Sequence, residues 1–189
     1  MTATEPTLEQ RLDRMESHLA IQQLPVRYAL AVDGRDIDAW TGLFVPDVDC
    51  GRYGRGRDVL KSIITPLLRG FYRSVHLICG QKLDFDGPDR ATGAVYCRAE
   101  HEEAGRWITM AILYFDEYAR VDGEWFFVRR REKHWYASDW AKRPTAPFND
   151  WPGRDLPPRL PGDFPGWTDF WQGVDVTGLT GLPVEGGMK

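Results

Sequence analysis

Apolar residues in the first seventy positions recur every three or four residues, and beyond that point they alternate. By pattern, the chain divides into a helical half and a stranded half. Leu8, Leu12, Met15 and Leu19 form a narrow stripe on a helix that starts at about Thr7, where Thr7 and Gln10 have capping-box spacing. So narrow a stripe fits against the body of the molecule or against a second chain. Ile21, Leu24, Tyr28 and Ala31 continue the periodicity, and Pro25, which lacks a backbone donor, predicts a bend or interruption near Leu24. Gly34 reads as the left-handed stop that puts Asp33 at the helix C-terminus. A second short helix follows with Trp40, Leu43 and Phe44 as its apolar face and Asp36 as its N-cap. Val48 to Tyr53 reads as a strand. Arg57 to about Arg69 reads as a helix with Val59, Leu60, Ile63, Ile64, Leu67 and Leu68 turned inward.

Four long β-like runs come next, Ser74 to Phe85, Ala91 to Glu102, Trp107 to Arg120 and Glu124 to Tyr136, separated by the turn sequences DGPD, EEAG and VDG. Long strands joined by tight turns make an antiparallel meander, and the helices of the first half are available to cover one of its faces. The expected fold class is α+β, a curved antiparallel sheet wrapped around N-terminal helices with a cavity between them. Residues 1–140 are read as this domain. Residues 141–189 are read as an irregular extension of it, rich in proline, glycine and aromatics, that wraps over its own domain or a neighbouring subunit. The end of the chain, from about Thr177, is expected to be loose.

Composition narrows the function. The 189 residues are 42% hydrophobic with a net charge of −4, enough for a core and a pocket but not the basic face that nucleic acid requires. The run Arg129, Arg130, Arg131 lies in a strand, where neighbours point to opposite faces, so it reads as one arginine turned inward and the others solvated. Three cysteines, Cys50, Cys79 and Cys97, lack CxxC spacing and read as buried thiols in a reducing compartment. With no signal-like segment and no run of membrane-spanning length, a cytoplasmic protein that uses neither membrane nor nucleic acid is expected.

The candidate chemistry centres on Asp33. Asp36 and Asp38 have capping and first-turn positions to explain them, and Asp33 does not. At the negative end of the helix dipole its ionisation is opposed, which predicts a raised pKa and suits a general base. His76, in SVHLICG, shares a strand face with Ile78 and Gly80. His101 and His134 lie on later strands within reach of the same cavity, and His18 reads as a surface residue. No HxH or HExxH pair exists and each candidate ligand is on a different element, so no metal is expected. A Gly-rich phosphate loop and a GxSxG elbow are absent too, and Cys79 has no nucleophile motif around it.

The order AIQQL, RYALAVDGRD, W-x-x-L-F-x-x-D, SVHL, EYARVDGEWFF and RRREKHWY, spread over Leu8 to Trp140, resembles the SnoaL-like branch of the NTF2-like superfamily. Within it the chain is similar to the group of scytalone dehydratase, hexachlorocyclohexane dehydrochlorinase and bile-acid 7α-dehydratase. The resemblance implies a cone-shaped α+β barrel with a deep apolar pocket and no cofactor or metal. It also implies an Asp33–His76 acid/base dyad assisted by Tyr28. His101 and one arginine, Arg131 or Arg129, are the implied polar pocket residues, and Trp40, Phe44, Tyr53 and Trp107 are the aromatic candidates for the wall. The expected activity is a lyase, of dehydratase type, on a hydrophobic cyclic or polycyclic small molecule. Isomerase, polyketide cyclase and non-catalytic binding module are the alternatives, and a homo-oligomer, trimer or dimer, is the expected assembly.

Overall fold

The computed structural model describes residues 5–142 and 144–174; the chain end from Thr177 lies outside the described residues. Helix α1 spans Leu8–Asp33 and begins on the predicted capping box, with Thr7 and Gln10 satisfying each other's backbone. It runs unbroken through Pro25, contrary to the expected interruption. The lost donor costs one hydrogen bond, and burial of Ile21, Leu24 and Val32 on either side holds the helix on course. Leu8, Leu12, Met15 and Leu19 stay exposed, whereas His18, expected at the surface, is half-buried and faces the Phe85 ring at 6.2 Å. The stop differs as well. Gly34 is right-handed, and the left-handed residue is Arg35, at φ 59°.

Helix α2, Ile37–Gly42, is capped by Asp36 as its sequence suggests. Val48 to Tyr53 is not a strand: an isolated Asp49–Arg55 bridge and a short 3-10 turn at Gly51–Tyr53 replace it, in a glycine-rich stretch that pairs with no sheet. Helix α3, Arg57–Leu68, buries only Leu68 fully; Leu60 and Ile64 pack partly and Leu67 stays exposed.

The sheet is the expected meander, β1 Ser74–Phe85, β2 Arg90–Glu103, β3 Arg106–Val121 and β4 Glu124–Asp139, in that spatial order and antiparallel throughout. Its alternation is broken three times. The register skips Cys79 on β1, and Val128 and Trp135 on β4, each of them a residue without a partner across the ladder. An extra residue reverses which parity faces inward. On β4 the buried positions are accordingly Trp125 and Phe127, then Arg130 and His134, then Ala137. Cys79, at its bulge, is exposed rather than buried.

Two apolar clusters fill the inner side. Ile21, Leu24, Val32, Trp40 and Phe44 from the helices meet Tyr118 and Phe127 of the sheet. Val95, Ile108, Met110, Ile112 and Ala137 form the second, against which Trp151 packs. Trp151 belongs to a strap that follows β4. The strap is tied on by a parallel bridge between Asn149 and Ala137, with Ala137 N–H donating to Phe148 O at 3.0 Å and Asp150 N–H to Ala137 O at 2.8 Å. The described residues up to Pro158 form one unit. Those from Arg159 form a second, containing the short helix α4, Trp167–Trp171. No helix among the described residues is long and apolar enough to cross a membrane.

Candidate active site

Asp33 closes α1, and the first turn of β1 approaches it. Ser74 and His76 are two apart on a strand, so both side chains point to the same face and both reach the carboxylate. Ser74 Oγ donates to Oδ1 at 2.7 Å, the His76 ring Nδ1 lies 2.7 Å from the same oxygen, and the His76 backbone N–H donates to Oδ2 at 2.8 Å. Arg35 locks the junction. Its guanidinium donates to Ser74 Oγ at 2.9 Å and to the carbonyls of Phe71 and Tyr72, each at 3.1 Å.

These donors overturn the expectation for Asp33. Burial pushes its pKa up, but the hydrogen bonds from His76 and Ser74 and the nearby imidazole outweigh it, and the carboxyl sits below its ordinary value of 3.8. Asp33 is therefore a fixed carboxylate. It holds the His76 Nδ1–H and leaves Nε2 with the free lone pair.

His76 lines a cavity of about 170 Å³ together with Tyr28, Phe71, His101, Tyr114 and Arg130. The His101 ring is 5.4 Å from that of His76 and stacks on Trp151 at 5.9 Å. Its pKa is depressed to about 3, by burial first and then by the charge of His76, so His101 is neutral at neutral pH. Tyr28 packs among Trp40, Tyr114 and Phe127, and burial raises its pKa against the opposing charge of Arg130, so its hydroxyl keeps its proton.

Of the three consecutive arginines, the one in the cavity is Arg130. It binds Asp116 through two hydrogen bonds, 2.9 and 2.8 Å, and its guanidinium lies over the rings of Tyr28, Tyr114 and Phe127 at 4.1 to 4.5 Å. Nη1 is buried without a partner. Asp116 also accepts from the Tyr118 hydroxyl at 2.7 Å, which Gln81 supports at 2.8 Å. Arg131 and Arg129, the arginines the resemblance implies for the pocket, are both exposed, and Arg131 pairs with Glu117. The bulge at Val128 is the reason.

Other expected wall residues fall elsewhere. Trp40 and Phe44 are buried behind Tyr28 rather than on the cavity surface, Tyr53 is 57% exposed on its 3-10 turn, and Trp107 is half-exposed at the start of β3. His134 is buried against Trp151 and bonds Glu132 through Nδ1 at 3.1 Å, without lining the cavity. Sequence reasoning passed over Glu132, Trp151 and Arg154, which do line it. Among the described residues no three metal-ligating side chains cluster.

Residues 13–131 match the SnoaL-like domain family. The chain belongs to that family. It is 28% identical over 129 residues to the gamma-hexachlorocyclohexane dehydrochlorinase of Sphingobium indicum, spanning 63% of this chain and 81% of that protein. The crystal structure of LinA superposes with a TM-score of 0.63 at 26% identity, covering 72% of this chain and 98% of that one. An NTF2-like protein with a cystatin-like fold from Novosphingobium aromaticivorans gives 0.57 at 21% identity, covering 70% and 92%, a likeness of fold alone. The α+β cone of this SnoaL-like protein is thus an NTF2-like fold, and its relatives include enzymes of elimination.

Proposed function

We propose that the protein is a cofactor-independent lyase that eliminates water or a halide from a hydrophobic cyclic small molecule. The observation that carries this reading is the Asp33–His76 contact at 2.7 Å on the wall of a cavity lined largely by apolar and aromatic side chains. His76 Nε2 takes a proton from carbon. The C–H electron pair becomes the new C=C bond, and the bond to the leaving group breaks with its electrons on that group. Asp33 holds the imidazole in the required tautomer and stabilises the imidazolium that forms. Tyr28, kept protonated, donates to a departing hydroxyl, and the unpartnered Nη1 of Arg130 offers a hydrogen bond to the negative charge that develops there. Neutral His101 is unsuited to the donor role and serves as wall. An isomerase that uses Asp33 alone as its base is disfavoured, because both carboxylate oxygens are already engaged and the pKa is low.

The test is turnover of cyclic polyhalogenated and hydroxylated compounds, with hexachlorocyclohexane as the first probe because a relative's name carries it. Once a substrate is found, Asp33→Asn and His76→Gln are each expected to lose about 10²- to 10⁴-fold in kcat with an unchanged fold. Full turnover in both variants would end the dyad reading.

A further inference from the structure

The strap gives the cavity something the sheet and helices do not. Trp151 is fixed by its Nε1–H, which donates to Glu103 at 2.9 Å, and by its backbone N–H, which donates to Asn149 Oδ1 at 3.1 Å. The Arg154 guanidinium lies 4.4 Å over the Trp151 ring, and both residues line the cavity beside His101. Elsewhere in the cavity Arg130 is paired with Asp116, His76 is held by Asp33, and Glu132 contacts His134 Nδ1 at 3.1 Å. Arg154 has no ion pair and no side-chain hydrogen bond among the described residues, and a guanidinium over an aromatic face can keep the edge of its planar fork for a ligand. That edge matches a carboxylate, which accepts two parallel N–H bonds.

Size adds a second constraint. A dry cavity of about 150 Å³ holds one benzene ring, and this one measures about 170 Å³.

We infer that the natural substrate is a single six-membered ring bearing a carboxylate, with the ring in the cavity that His76 and Tyr28 line and the carboxylate on Arg154. This rests on the lyase reading for the word substrate, but the binding it specifies is independent of turnover. The SnoaL-like match ends at residue 131, so Trp151 and Arg154 lie beyond the matched region, as expected of residues that set specificity rather than reaction type. Substitution of Arg154 leaves the strap's tether in place, because Asn149 Nδ2 donates to the Arg154 backbone carbonyl at 2.9 Å and not to its side chain.

The experiment is calorimetric titration of the full chain at neutral pH with benzoate, with its neutral isostere benzamide and with 2-naphthoate. Benzoate is expected to bind about tenfold or more tighter than benzamide, the worth of one charge-assisted pair, and tighter than 2-naphthoate. In Arg154→Gln the preference for benzoate over benzamide is expected to vanish, in Arg154→Lys to be partly kept, and in Asp33→Asn to persist. A preference that survives Arg154→Gln, equal affinity for benzoate and benzamide in the unaltered protein, 2-naphthoate binding as tightly as benzoate, or no binding of benzoate at millimolar concentration would each overturn the assignment. If turnover proves insensitive to Asp33→Asn while the Arg154-dependent preference is intact, the lyase reading fails and this one stands as a binding site.

Discussion

Asp33 and Asp116 each hold a nitrogen side chain that lines the same cavity, His76 and Arg130, but the two pairs are built differently. The Asp33 side chain is 25% exposed, and its partner is an imidazole, whose second ring nitrogen can accept a proton. The Asp116 side chain is 0% exposed, and its partner, Arg130, never gives up its charge. Burial pulls the Arg130 guanidinium down, but the hydrogen bonds and charge of Asp116 outweigh it and hold the group above the ordinary guanidinium value. The first pair is therefore suited to moving a proton and the second to presenting a permanent positive edge. A site of elimination needs both, and they are separable because the partner's chemistry, not the distance, decides the role.

Separate measurements on the two pairs can break that distinction. The largest expected effect is on stability. Asp116→Asn leaves Arg130 buried with its charge uncompensated and should cost about 3–5 kcal/mol in urea unfolding. Asp33→Asn, beside solvent, should cost about 1–2 kcal/mol while removing turnover. Equal losses of stability would erase the contrast.

A second effect is the pH dependence of stability contributed by His101. Its folded pKa of about 3 lies below the ordinary imidazole value of 6.5, so between those values the unfolded chain binds the extra proton. The contribution is fully present above pH 6.5 and is lost as pH falls toward 3, with a slope approaching ~1.4 kcal/mol per pH unit. His101→Gln should flatten urea-midpoint curves across that window. Asp33, also depressed, loses its contribution only at lower pH, below its ordinary value of 3.8. An unchanged curve in His101→Gln would mean that the ring takes up a proton in the folded protein.

The smallest effect belongs to Ser74→Ala, which deletes one of the three donors to Asp33. About 1 kcal/mol of stability should go, and the acid limb of any pH–rate profile should move to higher pH as the carboxylate becomes easier to protonate. A limb that stays in place would show that His76 alone sets the state of Asp33.

Much of this architecture is legible in the sequence, because period and turn chemistry are local. The four strands, the capping box at Thr7 and the N-cap at Asp36 follow from residue types a few positions apart. Ser74 was within reach of the same reasoning, since it lies two residues before His76 on one strand and so shares its face. The choice among Arg129, Arg130 and Arg131 was not. It turns on Val128 as an unpaired extra residue, and nothing in the pair FV ahead of the arginines distinguishes a bulge from a ladder position. The pKa of Asp33 was misjudged for a related reason. The helix dipole is visible in sequence, whereas donors from a strand about forty residues away are not. Trp151 and Arg154 come from a segment with no period at all, where aromatic content signals burial without saying against what.

The strap's attachment sets how long Trp151 and Arg154 stay on the cavity wall. Among the described residues, two backbone bonds across the Ala137–Asn149 bridge and the Asp139 N–H that donates to Asp150 fasten this segment to β4, and the Trp151 indole fastens it to β2, whereas β4 itself is zipped to β3 along its whole length. Segments with few tethers open at a fraction of the global unfolding free energy. The amides of Ala137 and Asp150 would then trade hydrogen for deuterium well before those of β3, and a ligand that bridges Trp151 and Arg154 would slow that exchange at both positions.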